Sequence, residues 1–356
     1  MCLCPVSIPR MYLGRKVVMW CPCGKCEECK KDKQNEYIIR TIEEAMKIKG
    51  NVYFVTLTYA PANVPLVVDE EGEIDEETGE MSTKMSLDHE DIKAWKKRVN
   101  RKFERRYGYR PDYSYCLCGE YGPQTNRPHY HALFMGLKSD DMEMFNEDWR
   151  KNYGFVCCKR ISKFDVPRVA AYVAKYITKF DELENPDVMK GKVVKPRKIT
   201  SQGYGMPSKE RWHQMKIDVM GEDYSIEDLK KMAHGNSRKC MKVVDKISRS
   251  LKYKNNGKEY KLPAYYRKKM FYYPDSQGKM RRTVISDMVA RTLLHNTQQD
   301  FSRQLVQVAN DLNLPDDYKV MSKAAKIVVD REKADRERRA KAYFETNIAA
   351  LRKSIF

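Results

Sequence analysis

No stretch of this chain approaches the roughly 18 consecutive apolar residues that a membrane-spanning helix needs, so no membrane partner is expected. The opening residues are interrupted by Pro5, Pro9, Arg10 and Gly14. Without an unbroken apolar core they do not read as a signal peptide, and a cytoplasmic location is expected. No G-x-x-x-x-G-K-[ST] loop is present, which excludes nucleotide hydrolysis by a P-loop mechanism. No internal repeat is visible, which argues against a solenoid. Acidic residues are in short supply: 49 Asp and Glu face 68 Lys and Arg, for a net charge of +19. A surplus of that size calls for an anionic partner, and nucleic acid is the first candidate.

What is present suffices for one large domain or two ordinary ones. The chain has 356 residues, 42% of them hydrophobic and 11% aromatic, enough to bury cores and too much for wholesale disorder. Eleven cysteines in a chain of this length, odd in number, point to reduced thiols rather than a disulfide framework. Cys2, Cys4, Cys21, Cys23, Cys26 and Cys29 crowd the N-terminus, and Cys21, Cys23, Cys26 and Cys29 form CxCxxCxxC. That spacing suits a tetrahedral zinc ion, and unligated thiols in the N-terminal segment are the alternative.

Along the chain, residues 31–49 have helical periodicity, and Val52 to Tyr59 is rich in β-branched and aromatic residues, as a buried strand requires. Residues 69–80 hold eight acidic side chains and no basic one, a solvated loop or hairpin tip. Ser86 is placed to cap a helix running to about residue 107, with Ile92, Trp95, Val99 and Phe103 on its buried face. Strands are expected over 112–121 and from His129 to Met135, paired as a hairpin. A short helix from Ser139 and the strand-like GFVCCKRI follow. A helix over 165–180 carries Val166, Val169, Ala170, Val173, Ile177 and Phe180 on one stripe. Tyr172 and Tyr176 flank that stripe one turn apart, placed for their hydroxyls to emerge at an open surface. From Arg238 to Arg282, fifteen basic residues against three acids are interleaved with tyrosines. That segment reads either as a single-strand-binding surface or as a basic surface over ordinary aromatic core. The last forty residues alternate charge signs and read as solvated helices.

The chemistry centres on His129-Tyr130-His131. Strand residues i and i+2 share a face, so both imidazoles point the same way, either as half of a metal site or as a structural pair. Glu120 lies on the adjoining strand, where a hairpin brings its carboxylate beside both rings. Two imidazoles and a carboxylate leave positions open on a divalent ion, which suits Mg²⁺ or Mn²⁺ shared with a phosphate. A phenol near such an ion, with Lys175 and Lys179 adding positive charge, can act as a nucleophile. The alternative for Tyr172 and Tyr176 is an aromatic pair packed in the core.

Three motifs in order, FVTLTY, GEYG followed by RPHYHALFMG, and YVAKYITK, resemble those of the HUH rolling-circle replication initiators. The sequence is most similar to initiators of the single-stranded DNA phages of the Microviridae, in particular the gokushovirus-like branch. CGKCEEC, SLDHEDIKAWKKRV and LPAYYRKKM extend the likeness. The resemblance implies an α+β fold, a central antiparallel sheet flanked by helices, with a mostly helical C-terminal region. It implies His129, His131 and Glu120 as metal ligands, and Tyr172 and Tyr176 as paired nucleophiles that nick and rejoin single-stranded origin DNA through a 5′-phosphotyrosine link. Host helicase and DNA polymerase in the host cytoplasm would be its partners. The expected organisation is a Cys-rich segment and helix over 1–49, the nuclease domain over 50–215 and a basic region over 216–356. Two competing readings are a relaxase-like or single-tyrosine nickase using Tyr172 alone, and a non-catalytic, zinc-containing nucleic-acid-binding protein.

Overall fold

The computed structural model describes residues 6–12, 15–24, 27–68, 82–122, 124–178, 193–222, 238–255, 257–274, 276–277, 280–282, 288–289, 292, 334 and 338. In chain order the elements are β1 (Val6–Tyr12), β2 (Arg15–Cys21), α1 (Glu27–Lys47), β3 (Val52–Tyr59), β4 (Leu66–Val68), β5 (Thr83–Met85), α2 (His89–Tyr107), β6 (Ser114–Tyr121) and β7 (Pro128–Met135). They continue with α3 (Ser139–Asn152), β8 (Gly154–Ile161), α4 (Val166–Thr178), β9 (Lys198–Thr200), α5 (Lys209–Met220), α6 (Arg238–Arg249), β10 (Lys252–Asn255), β11 (Lys258–Lys261), α7 (Ala264–Phe271), β12 (Tyr272–Pro274) and β13 (Met280–Arg282). The chain divides into two compact units, 37–208 with 351–356, and 1–36 with 209–350. The acidic 69–80 segment lies outside the described residues, as do the expected charged helices of the last forty residues apart from 334 and 338.

The unit over 37–208 is α+β, built on a five-stranded antiparallel sheet in the order β8-β3-β7-β6-β9. Strand residues alternate between its faces. One face carries Val55, Leu57 and Tyr59 from β3, Leu117 and Tyr121 from β6, and Tyr130, Ala132 and Phe134 from β7, all buried in the main core. Helix α2 covers it with Ile92, Trp95, Val99 and Phe103, and α3 with Met142, Phe145 and Trp149. Trp95 sits at the centre, its ring 5.3 Å from that of Phe145, 5.4 Å from Trp149 and 5.8 Å from Phe134.

Helix α2 is capped by a different residue from the one its sequence suggests. The N-cap is Asp88, whose carboxylate accepts from the Glu90 N–H at 2.7 Å. Ser86 instead donates to the Leu87 carbonyl and accepts from the Val194 N–H, tying in the segment before β9. A carboxylate at the N-cap also meets the positive end of the helix dipole, an advantage a serine hydroxyl lacks. Gly108 ends the helix with φ +74°, the left-handed C-cap that glycine adopts without steric cost.

The opposite face presents Phe54 and Thr56 from β3, Cys116, Cys118 and Glu120 from β6, and His129, His131 and Leu133 from β7, set by the pairing register. Helix α4 lies against it through Tyr172, edge-on to Phe54 at 5.8 Å. The described part of the stripe expected on α4, Val166, Val169, Ala170 and Val173, is fully buried. Ile177 and Phe180 fall outside the described side chains. The 201–206 turn is pinned to α1 by Arg40, which donates to the Tyr204 carbonyl at 2.6 Å, and by Glu44, which accepts from the Gly205 N–H at 2.6 Å. A Cβ at Gly205 would sit 2.4 Å from that of Arg40, so only glycine allows this approach.

In the other unit, β1 and β2 form a hairpin, as do β10 with β11 and β12 with β13. The region beyond residue 216, expected mostly helical, thus alternates helices with two hairpins among its described residues. Tyr253, Tyr266 and Phe271 are buried, with Lys252, Lys254, Lys258, Lys268 and Lys269 exposed around them. For those three rings the segment is a basic surface over aromatic core. Tyr260, Tyr265 and Tyr272 are half-buried. Among the described residues no helix is long and apolar enough to cross a membrane.

Candidate metal and nucleophile site

The β6–β7 hairpin builds the centre of the site. Its turn is closed by Gly122 N–H to the Arg127 carbonyl and Asn126 N–H to the Gly122 carbonyl, both at 3.0 Å, with Asn126 in the left-handed region at φ +50°. This turn sets the register that pairs Glu120 with His129 and Cys118 with His131. The ligand atoms of Glu120, His129 and His131 consequently lie within 4.8 Å of one another, the group of this kind found among the described residues. Glu120 Oε2 is 3.1 Å from His129 Nε2 and 3.2 Å from His131 Nε2. Glu120 and His131 are buried and His129 is half-buried.

The outer ring nitrogens are held as well. His129 Nδ1 is 3.1 Å from the Arg127 carbonyl oxygen, which can only accept, so Nδ1 carries the hydrogen. In a neutral ring Nε2 then presents its lone pair to a carboxylate oxygen that also has only lone pairs. A cation at that point satisfies all three ligand atoms at once. His131 Nδ1 is paired with Thr56 Oγ1 at 3.1 Å from the neighbouring strand β3. Such outer contacts orient ligand imidazoles. Burial pushes the Glu120 carboxyl up, but its contacts with His129 and His131 outweigh that and hold it well below the usual carboxylate range. The donor set of two imidazoles and one carboxylate therefore fits a divalent ion. Cys118, beside His131 in register, has its thiol pushed well up by burial, as has Cys116, to about 11.

Both tyrosines converge on the same imidazole. The Tyr176 ring stacks on His131 with centroids 4.6 Å apart and planes at 22°. The Tyr172 ring is edge-on to His131 at 5.8 Å and to Tyr176 at 5.1 Å. Each is only 3% exposed, whereas the helical pattern placed their hydroxyls at an open surface. The pattern identified the flank of the core stripe correctly, but the second sheet face covers that flank. Lys175 is half-buried on α4 between the two tyrosines in sequence, and Lys179 lies outside the described residues. Thr56 and the Arg127 carbonyl were missed by sequence reasoning. Thr56 was discoverable, because any pairing of the FVTLTY strand with the histidine strand must put some residue opposite His131.

The N-terminal cysteines are described in part. Cys23 and Cys29 have their sulfurs 4.0 Å apart, close to the ~3.8 Å expected of two thiolates at ~2.3 Å from a tetrahedral zinc. Cys26 and the Cys21 side chain lie outside the described residues.

Residues 52–181 match the replication-associated protein ORF2 family. The chain is 30% identical over 223 residues to the replication-associated protein ORF2 of Spiroplasma virus 4, covering 59% of this chain and 64% of that protein. It is 32% identical over 123 residues to the replication-associated protein VP4 of Bdellovibrio phage phiMH2K, covering 34% of this chain and 33% of that one. The chain thus spans less than two thirds of the length of both relatives. No solved structure gives a significant match. The matched segment runs from the start of β3 past the end of α4 and so contains the whole triad and both tyrosines; over residues 52–181 the chain belongs to the replication-associated protein ORF2 family.

Proposed function

We propose that this protein initiates rolling-circle replication by nicking and rejoining single-stranded DNA at an origin, with Tyr172 and Tyr176 as nucleophiles. The observation that carries this reading is the stacking of Tyr176 on His131, with Tyr172 edge-on to both, while the same imidazole aims Nε2 at Glu120. Two phenols that share one metal-ligating ring can be presented in turn to one phosphate.

In the first exchange a tyrosine oxygen forms a bond to the scissile phosphorus, and the bond from phosphorus to the 3′-oxygen breaks. The phenolic proton is lost and the departing oxygen gains one, leaving a 3′-hydroxyl and a 5′-phosphotyrosine. A Mg²⁺ or Mn²⁺ ion held by Glu120, His129 and His131 supplies Lewis-acid polarisation of the phosphoryl oxygen. Lys175 adds positive charge near the phenols, and Lys179 extends it. The number of phosphodiester-type bonds is unchanged, so the second tyrosine can repeat the exchange and the 3′-hydroxyl can close a circle. Proximity of both nucleophiles to one site is what makes the repeat efficient. The nuclease part is assigned to 50–215, and strand unwinding and synthesis to host helicase and polymerase. The cysteines Cys21, Cys23, Cys26 and Cys29 are assigned to a structural zinc ion, which a Cys23→Ser variant with reduced zinc content would support.

The test is a covalent adduct. Protein incubated with single-stranded origin-derived DNA and Mn²⁺ should give a band of protein-linked DNA on a denaturing gel. The Tyr172→Phe/Tyr176→Phe variant should give none, and equal yield from it would overturn the assignment. Single variants separate a paired mechanism from one that uses Tyr172 alone with Tyr176 as packing.

A further inference from the structure

The face that carries the triad continues to the sheet edge. Cross-strand pairing sets out one row of Phe155, Thr58, His129 and Glu120 over β8, β3, β7 and β6. A second row runs Cys157, Thr56, His131 and Cys118, and a third Lys159, Phe54, Leu133 and Cys116. Residues in register share a face, so Phe155, Cys157 and Lys159 stand on the side of the metal ligands. With strands ~4.8 Å apart, Phe155 is about 10 Å from His129 along its row.

At this edge the face is open. Phe155 is 60% exposed, and Cys157 and Lys159 are exposed. Beyond the end of β8, the short helical turn Lys163–Asp165 leads into α4, the helix of the tyrosines, and carries Phe164 at 96% exposure. From 154 to 164 the chain holds Lys159, Arg160 and Lys163 and no acidic residue. A single exposed phenylalanine needs no explanation. Two beside three cations, one of them in register with the metal ligands, combine stacking faces and phosphate contacts in the way that single-strand binding requires.

We propose that this edge carries the single strand into the site, with Phe155 stacking on a base near the scissile phosphate and Lys159 contacting a backbone phosphate. The inference rests on the nicking reading and adds to it a residue that positions the substrate. Phe155 acts through the strand's placement and takes no part in bond exchange.

The experiment measures affinity of the full chain for a mixed-sequence single-stranded oligonucleotide in EDTA, where no cleavage interferes. Phe155→Ala should weaken binding roughly tenfold, the scale of one lost base stack. Phe155→Trp should keep the affinity, and Phe155→Leu, apolar without a π face, should not. Lys159→Gln should weaken binding and reduce the salt dependence by about one phosphate contact. Unchanged affinity in Phe155→Ala, or full rescue by leucine, would overturn the proposal. Adduct formation with Mn²⁺ is read separately. Adduct from the wild-type chain together with unimpaired binding by Phe155→Ala sinks only the edge assignment, whereas absence of adduct from the wild-type chain sinks the nicking reading whatever the binding shows. Because Phe155 is exposed, its variants should melt within a few degrees of wild type.

Discussion

Val55 and Thr56 are neighbours on β3, yet Val55 packs in the core under α2 and α3 while Thr56 holds His131 on the opposite side. The same division runs through β6 and β7, where Leu117 and Tyr130 face the core and Glu120 and His131 face α4. One face is a continuous set of aromatic and aliphatic side chains, stabilised by burial and edge-to-face ring contacts. The other takes polar and ionisable groups into a buried setting, which is costly unless each is paired. The contrast shows how one sheet separates stability from chemistry: the first face fixes the register, and the register positions the second. A slip of one residue would exchange the faces and lose both.

The largest effect should come from breaking the first face. Trp95→Ala removes the ring at the centre of the aromatic cluster and its donation to the Phe145 carbonyl. Urea unfolding should show a loss of about 3–5 kcal/mol. Metal affinity of the protein that remains folded should change less than twofold. A large loss of metal affinity in that folded fraction would show that the two faces are not separable.

Next is the reverse change. Added Mn²⁺ should stabilise the wild-type chain, by about 2.7 kcal/mol at a hundredfold excess over its dissociation constant. His129→Ala should abolish that increment while lowering metal-free stability by only ~1 kcal/mol, the worth of its hydrogen bonds. Retention of the increment would remove His129 from the ligand set. A smaller effect is expected of Thr56→Val, which keeps the shape and removes the partner of His131 Nδ1. Loss of such an orienting contact lowers metal affinity about 10- to 100-fold, and titration of Mn²⁺ binding reads it directly.

Much of this architecture was legible because periodicity and turn chemistry are local. The hairpin from Ser114 to Met135, the buried faces of α2 and α3, the strand Gly154–Ile161 and the buried stripe of α4 all follow from alternation or helical spacing. The meeting of Glu120 with both imidazoles also follows, since a short turn leaves few registers. What was not legible depends on contacts distant in sequence. The edge strand β9 is only three residues long and pairs with β6 some eighty positions earlier. No local pattern marks it. The burial of Tyr172 and Tyr176 needs the second face of the sheet, and helical spacing says which stripe is apolar without saying what covers its flanks. The cap at Asp88 rather than Ser86 turns on which side chain reaches a free N–H, a matter of geometry that two nearby capping residues leave undecided.

The smallest effect tests the first face through pH. Tyr113 packs against Phe134 and Phe145 and donates to Asn100 Oδ1 at 3.0 Å. Burial, the dominant cause, pushes its phenol up from 10.0 to about 12. Folded protein therefore keeps this proton where unfolded chain loses it. The stability that protonated Tyr113 contributes is complete below pH 10 and is lost as pH rises toward about 12. Tyr113→Phe should cost about 1 kcal/mol at neutral pH from the lost hydrogen bond. The variant should then lose stability less steeply than wild type through that alkaline window, by at most ~1.4 kcal/mol per pH unit. Parallel slopes in the two proteins would mean that Tyr113 titrates alike folded and unfolded, and that its ring is less enclosed by the aromatic face than its neighbours indicate.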